Sequence, residues 1–283
     1  MPILSDLRTW RFARHFSTKS FASFGVLALF LQTSNVLFPK LTTFQGMPGL
    51  VGTLVLSIIS GIVLSWPRPI TQQYDSPNTR ITIAKGDLLD DKSHLVIGTV
   101  DTFDTEPPTI ISNASLQGQA LSKLYGGDLK RLDKELDSSL VGKTVIGNIQ
   151  KDGKQDQYGI GTVATLKHGP RLLFFLAYCE MDANNNAHST PDKLWASLSM
   201  LWDEISRQGN GGTVAMPVIG GGQARLSSVM PAQDAIRFTL LSFMFASRKS
   251  RICDELRIVV RPVDYEKLDR LGLQSFLSSL RSS

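Results

Sequence analysis

The most informative segment of the chain is residues 213–225, with the sequence Thr-Val-Ala-Met-Pro-Val-Ile-Gly-Gly-Gly-Gln-Ala-Arg. The first five residues form a short apolar run typical of a buried strand. Three glycines follow, and residues 231–247 then have the apolar spacing of a helix. A strand, a glycine loop and a helix in this order can direct bare N–H groups at phosphate oxygens. A flexible hairpin loop is the alternative interpretation.

The glycine loop differs from two common phosphate-binding motifs. No Gly-Lys-Ser/Thr follows it, so it is not a Walker loop, and its glycine spacing is not that of a dinucleotide-binding fold. Arg225, at the end of the loop, could add positive charge opposite a phosphate or carboxylate of a ligand.

Around this loop the sequence alternates between strand and helix patterns. Strands are predicted at 80–84, 95–99, 160–165, 171–178, 213–217 and 256–260, and helices at 115–136, 191–207 and 231–247. The clearest helix has Thr190 as its cap and Pro191 in its first turn. Residues 80–283 are therefore predicted to form one α/β domain of three layers around a buried sheet.

The first part of the chain predicts a membrane hairpin. Residues 20–38 and 47–66 contain no charged side chain, and each stretch is close to the roughly twenty residues that cross a bilayer. We therefore predict two transmembrane helices within 20–66, with a linker at 67–79. A cleaved signal peptide is the alternative for the first stretch, but no small-x-small cleavage site is present.

The basic N-terminus, residues 1–19, sets the predicted orientation. Its excess of Arg and Lys adjoins an apolar run, which favours a membrane-flanking role over nucleic-acid binding. Both termini are predicted to be cytoplasmic, in a multi-pass protein of the bacterial inner cell membrane.

Small residues form a stripe along the second apolar stretch, at every fourth position: Gly49, Thr53, Ser57, Gly61 and Ser65. Gly25, Ala28, Gln32 and Asn35 share one face of the first stretch. Small residues let membrane helices approach closely. Two interpretations remain open: the hairpin packs against itself, or these faces assemble several hairpins.

The cysteine and histidine content predicts neither a metal nor a disulfide framework. Cys179 and Cys253 lie far apart, and the four histidines show no ligand spacing.

A second ligand-binding candidate is Gly86-Asp87-Leu88-Leu89, at the end of the opening strand. Its Asp could accept a hydrogen bond from an exocyclic amine, or it could simply cap a turn.

Together these segments resemble the two ends of a macro-domain ADP-ribose site. The chain as a whole resembles the membrane-anchored macro-domain effectors of bacterial type II Thoeris antiviral systems. The resemblance extends over the hairpin, the 99–105 loop, the 115–118 turn, the Trp202 helix and the 217–225 loop. It implies a three-layer α/β/α fold with a mixed sheet.

The resemblance also implies roles for individual residues. Asp87 and Leu88 would bind adenine, and Tyr265 would lie against it, with ordinary edge packing as the alternative for Tyr265. The diphosphate and distal ribose would be bound by Gly220, Gly221, Gly222, Gln223, Ala224 and Arg225, and by the loop of Val100, Asp101, Thr102, Phe103 and Asp104.

One departure from the family bears on catalysis. Hydrolytic macro domains usually carry an Asn-Ala-Ala-Asn type segment after the second strand, where this chain has Val-Asp-Thr-Phe-Asp. Asp101 and Asp104 could hold a ribose hydroxyl or a cationic group, or be solvated loop acids. We therefore expect a receptor with no catalytic residues and no cofactor.

The implied function is that of a membrane effector in anti-phage defence. A TIR-domain partner would make an ADP-ribose-derived messenger, for example one joined to histidine. Binding would drive homo-oligomerisation and disruption of membrane lipid, without nucleic acid. The alternatives are a membrane-tethered ADP-ribosyl hydrolase or deacetylase, and a passive anchor that recruits a partner protein.

Overall fold

The structure, a computed structural model, describes residues 10–37, 46–65, 70–220, 226 and 229–281. Contacts divide the chain into two units, Met1–Arg68 and Pro69–Ser283. The first unit contains helices α1 (Trp10–Leu37) and α2 (Met47–Ser65).

The second unit contains an α/β domain. Its strands are β1 (Ile70–Asp75), β2 (Asn78–Lys85), β3 (His94–Val100), β4 (Gly147–Asn148), β5 (Asp156–Gln157), β6 (Val163–His168), β7 (Arg171–Met181), β8 (Ala187–His188), β9 (Val214–Pro217) and β10 (Glu255–Val260). Its helices are α3 (Leu116–Tyr125), α4 (Leu129–Leu140), α5 (Pro191–Gln208), α6 (Ala232–Ser247), α7 (Pro262–Tyr265) and α8 (Arg270–Ser279), and a 3-10 turn spans Leu88–Asp90.

The main sheet is mixed, as predicted. Its strand order is β1-β2-β10-β9-β3-β7-β6, and β8 adds to β7. Strands β2, β10, β9, β3 and β7 are parallel, whereas β1 and β6 pair antiparallel at the edges. The carboxyl ends of the five parallel strands therefore meet along one side of the sheet.

Side chains along the buried strands point alternately to the two faces of the sheet, so a hydrophobic core lies on each face. Val96 shares a core with Trp202 of α5 and Phe243 of α6, while its neighbour Leu95 shares the other core with Leu132 of α4. Successive side chains of a strand point to opposite faces, so a sheet covered by helices on both sides needs apolar residues at consecutive positions. The predicted three-layer arrangement is confirmed.

Two predicted segments are organised differently in the structure, and the strand predicted at 160–165 is found three residues later as β6. The helix predicted at 115–136 is two helices, because Gly126 and Gly127 adopt positive φ of 61° and 83° between them. The linker predicted at 67–79 includes β1, which pairs with β2 from Ile70↔Ile83 to Asp75↔Asn78. The Ser76-Pro77 sequence is a hairpin turn rather than a tether.

In the first unit, the stripe of small residues is the buried face of α2. All five members, Gly49, Thr53, Ser57, Gly61 and Ser65, are buried. A Cβ atom at Gly61 would lie 1.9 Å from Ser20 Oγ and 3.1 Å from a ring carbon of Phe16, so α1 packs directly on this stripe. The stripe therefore lies at the contact between α1 and α2. Gly25 and Gln32 of α1 are exposed. The side chain of Asn35 lies outside the described residues.

Among the described residues, one helix is long and apolar enough to cross a membrane, and it is α2. The two-span hairpin is therefore not supported. Helix α1 is longer than α2, but it includes Arg14, Lys19 and a polar segment at 32–34.

Candidate functional site

A cleft of about 1110 Å³ opens at the carboxyl ends of the parallel strands. Residues from the ends of β2, β10, β9, β3 and β7 line it. Ligands of open α/β sheets commonly bind at this edge, because the loops that leave the strands converge there. The cleft is slightly larger than the 300–1,000 Å³ typical of small-molecule sites, so it has room for an elongated ligand.

Asp87 lies at the β2 end of the cleft, where Gly86 N donates to Val260 O at 3.0 Å. Its carboxylate accepts from Leu89 N at 3.0 Å, which caps the 3-10 turn, and it forms an ion pair with Lys123 of α3. The hydrogen bond from Lys123, assisted by that from Leu89 N, lowers the pKa of Asp87. Leu88, buried beside it, also lines the cleft.

The β9 end contributes the start of the glycine loop. Val218, Ile219 and Gly220 line the cleft, and Gly220 has a φ of 101°. The rest of the predicted loop lies outside the described residues: Gly221, Gly222, Gln223, Ala224 and Arg225.

The loop after β3 contributes one of its five predicted residues, Val100, to the cleft lining. Thr102 and Phe103 are fully buried, and the Phe103 ring meets Tyr158 edge-on at 5.8 Å. Both belong to the interior of the domain rather than to the described cleft lining.

The two carboxylates of this loop are also buried and are held by the protein itself. Asp101 accepts from Met181 N and from Gln157 Nε2, both at 2.9 Å, and burial raises its pKa. Asp104 pairs with Lys151 at 2.8 Å, with at most 1% of either side chain exposed. Neither carboxylate is therefore a solvated loop acid, and the cation that Asp104 holds belongs to this chain.

Tyr265 also lies outside the cleft lining. It is buried in the core that α5 and α6 cover, and the Arg270 guanidinium lies 5.4 Å from its ring centroid. Its neighbours Arg261 and Asp264 line the cleft instead, paired with each other at 2.7 Å. Tyr265 therefore packs inside the domain, as part of this core.

Gln117, which was not predicted to bind a ligand, lines the cleft from the first turn of α3. Its side chain accepts from Thr99 Oγ1 at 3.1 Å and donates to the backbone oxygen of Asp104, so it joins the end of β3 to the loop that follows. The available signal was the helix predicted to begin at residue 115, and the structure shows Ser115 as its cap.

The contribution of β7 was missed as well. Tyr178, Cys179 and Met181 line the cleft from the end of the strand, and Asn185 and Asn186 follow from the next turn. The predicted strand 171–178 ends at this point, and polar residues after a strand end are a known signal for a site.

The described lining combines hydrogen-bonding groups with apolar surface. Its carboxylates, Asp87 and Asp264, are each paired with a cation. Burial raises the pKa of the Cys179 thiol to about 12, so it is protonated at neutral pH. Within the described parts of the chain, no group of three or more His, Cys, Asp or Glu residues could hold a metal ion.

Comparison with known proteins gives one family match. A family model described as the macro domain of the Thoeris protein ThsA matches residues 81–261. No functionally curated protein matches the sequence.

Solved structures show only distant likeness. A point mutant of the Oceanobacillus iheyensis macrodomain is 12% identical with a TM-score of 0.49, and the match covers 75% of this chain and 96% of that one. The Trypanosoma brucei macrodomain in complex with ADP-ribose is 11% identical with a TM-score of 0.48, covering 72% and 74%.

Proposed function

The chain belongs to the macro-domain family of the Thoeris protein ThsA, and we propose that its cleft is the receptor site for an ADP-ribose-derived messenger. Family membership suggests Thoeris defence and an ADP-ribose-related ligand. The observation that carries the proposal is the continuous cleft that joins Asp87 at one strand end to Gly220 at another.

We propose that adenine binds at the β2 end of the cleft. A carboxylate has about four lone-pair sites, and Asp87 uses two of them for Leu89 N and Lys123. The remaining lone pairs of the Asp87 carboxylate can accept a hydrogen bond from the adenine amino group, with Leu88 beneath the ring. The diphosphate would then lie at Val218–Gly220 and the glycine loop that follows, with Arg225 adding charge.

Receptor function is supported by the pKa of the thiol and by the ion pairs of the carboxylates in the described lining. A general base or nucleophile needs a pKa matched to its task, and the Cys179 thiol has its pKa raised to about 12. The carboxylates of Asp87 and Asp264 each form an ion pair with a basic side chain. These groups favour binding and orientation of a ligand over bond cleavage.

We further propose that the messenger switches a membrane effector. In this proposal α2 spans the bacterial inner membrane, α1 packs beside it, and the domain that contains the cleft is cytoplasmic. A TIR-domain enzyme supplies the nucleotide, for example joined to histidine, and binding drives homo-oligomerisation and disruption of membrane lipid. Supporting evidence for membrane association is the length and apolar composition of α2.

The test is calorimetry of the full chain in detergent with ADP-ribose. Asp87→Ala removes the acceptor for the amino group and should weaken binding roughly 10- to 100-fold, since a hydrogen bond to a charged group contributes about 1.5–3 kcal/mol. Asp90→Ala is the matched control. Asp90 lies in the same 3-10 turn, 3.7 Å from Lys123, but its side chain is 77% exposed.

ADP-ribose should bind the Asp90→Ala variant within about twofold of wild type. Equal affinity of wild type and Asp87→Ala for ADP-ribose would remove Asp87 from the site. No binding by wild type would reject the ligand class.

A second candidate function is an ADP-ribosyl hydrolase. It is favoured by the asparagines Asn185 and Asn186, which line the cleft although residues 100–104 include no asparagine. Release of free ADP-ribose from an ADP-ribosylated protein by the purified chain, lost in the Asn186→Ala variant, would support it over the receptor.

A further inference from the structure

The net positive charge of the protein is confined to its first unit. Residues 1–68 contain six Arg and Lys residues and one acid, Asp6, so their formal net charge is +5, which is also the net charge of the whole chain. Residues 69–283 contain equal numbers of acidic and basic residues. A charge excess confined to one part of a chain indicates that this part has an anionic partner.

The basic side chains of α1 are exposed and lack acidic neighbours on their own helix pair. Arg14 and Lys19 are both exposed. Neither α1 nor α2 contains an acidic residue, so these two helices supply no carboxylate for either cation. The positive charge of Arg14 and Lys19 is therefore available to a partner outside the helix pair.

Aromatic side chains flank these cations. Trp10 is 82% exposed and Phe21 is 75% exposed, and the helical repeat places both on the same face of α1 as Arg14. Exposed Trp and Phe beside Arg and Lys are typical of helices at a membrane–water boundary. Nucleic acid is the other polyanion that a basic helix meets, but these exposed aromatic side chains and the uncharged second half of α1 favour lipid.

The contact with α2 fixes the level of the cations along the helix pair. Gly61 lies against Ser20, and α2 ends four residues later at Ser65. The late part of α2 thus meets the early part of α1, so the two helices are antiparallel. At about 1.5 Å per residue, Ser65 lies roughly 6 Å beyond this contact and Arg14 roughly 9 Å beyond it in the same direction. Arg14 is therefore close to the level at which the apolar helix α2 ends.

We propose that the basic segment of α1, residues 10–19, binds the headgroups of anionic phospholipids through Arg14 and Lys19. The assignment rests on the proposed span of the membrane by α2, whose 19 residues are just long enough for the hydrocarbon core. Its end at Ser65 then marks the boundary of the hydrocarbon, and the two cations lie in the adjoining layer of lipid phosphates. Guanidinium and ammonium groups form strong charge-assisted hydrogen bonds to phosphate oxygens.

The test is native mass spectrometry of the full chain in detergent, titrated with phosphatidylglycerol or with phosphatidylcholine of the same acyl chains. The first lipid has a net negative charge and the second has none. Arg14→Gln/Lys19→Gln removes both cations from α1. Lys130→Gln/Lys134→Gln is the matched control, because it removes two positive charges from exposed positions of α4. Arg14→Lys/Lys19→Arg keeps the charge of α1 and changes only the side chains.

Wild type should bind phosphatidylglycerol more tightly than phosphatidylcholine. Arg14→Gln/Lys19→Gln should lower the affinity for phosphatidylglycerol roughly 30-fold, because each basic side chain beside an anionic lipid surface contributes about fivefold. Its affinity for phosphatidylcholine should stay unchanged. The α4 variant and the charge-keeping variant should both bind phosphatidylglycerol within about twofold of wild type.

Equal affinities of wild type and Arg14→Gln/Lys19→Gln for phosphatidylglycerol, or an equal loss in the α4 variant, would overturn the assignment. Binding of a short RNA duplex by wild type that Arg14→Gln/Lys19→Gln loses would also overturn it, in favour of nucleic acid. Alkaline extraction of cell membranes tests the span by α2 separately. Release of wild type into the soluble fraction would reject that span and the site with it, whereas retention without a preference for phosphatidylglycerol would reject the site alone.

Discussion

At the scale of single residues, the loop after β3 shows how burial decides what a carboxylate does. Asp104 pairs with Lys151, accepts from Lys154 N at 2.8 Å and accepts from the Thr102 hydroxyl. A buried charge is tolerated only where such partners surround it. Asp104 therefore stabilises the loop that follows β3.

This predicts a large effect of removing one partner. Lys151→Met leaves Asp104 buried without its cation, which costs about 3–5 kcal/mol. The thermal midpoint should fall by roughly 6–20 °C, given about 2–4 °C per kcal/mol for a domain of this size. Lys134→Met, at an exposed position of α4, is the control and should change the midpoint little. Equal midpoints for the two variants would show that the pair contributes no stability.

At the scale of elements, the pairing of α1 and α2 depends on small side chains. Every buried residue of α2 is Gly, Ser or Thr, and Thr53 Oγ1 and Ser57 Oγ donate to backbone oxygens of their own helix, both at 2.8 Å. The absence of long side chains on this face allows the two helices to approach closely. The large apolar side chains of α2 are left on its exposed faces.

Gly61→Leu is predicted to separate the two helices, since even a Cβ atom there would collide with Ser20 Oγ. Gly52→Leu is the control on the same helix, because no atom lies within 4 Å of a Cβ at that position. Hydrogen exchange followed by mass spectrometry should show faster exchange in α1 peptides for Gly61→Leu only. The same exchange rates in both variants would mean that the pairing does not depend on the stripe.

At the scale of the whole molecule, the proposed switch requires that ligand binding and assembly be linked. A ligand drives assembly only as far as it binds the assembled form more tightly than the free one. Among the described residues of the first unit, the exposed faces of α1, including Gly25 and Gln32, and the exposed apolar faces of α2 are open to contacts between copies. The stripe on α2 is already occupied by α1.

Histidine-linked ADP-ribose should therefore raise the mass of the full chain in light scattering, in detergent and at saturating ligand. The Asp87→Ala variant should keep its unliganded mass at the same concentration. If wild type binds the probe by calorimetry without any change in mass, assembly is not driven by the ligand.

The sequence alone predicted the elements whose patterns are strong. Apolar runs at 95–99, 171–178 and 256–260 became parallel strands, because strands buried on both faces need continuous apolar sequence. The Thr190-Pro191 start placed α5 correctly, since a cap and a first-turn proline act locally. Asp87, Leu88, Val100 and Gly220 were named from the sequence, and the structure brings them together in one cleft.

Only the tertiary structure decided which side chains of these segments face the cleft. Asp101 and Asp104 were predicted to bind the ligand, as Val100 was. Their hydrogen-bonding partners, Gln157 and Lys151, lie on a hairpin about fifty residues later in the chain, which no local pattern reveals. Asn185 reaches the cleft because β7 lies beside β3 in the sheet, far from it in the chain. Local propensity acts over a few residues, whereas burial and ion pairing depend on neighbours that only folding supplies.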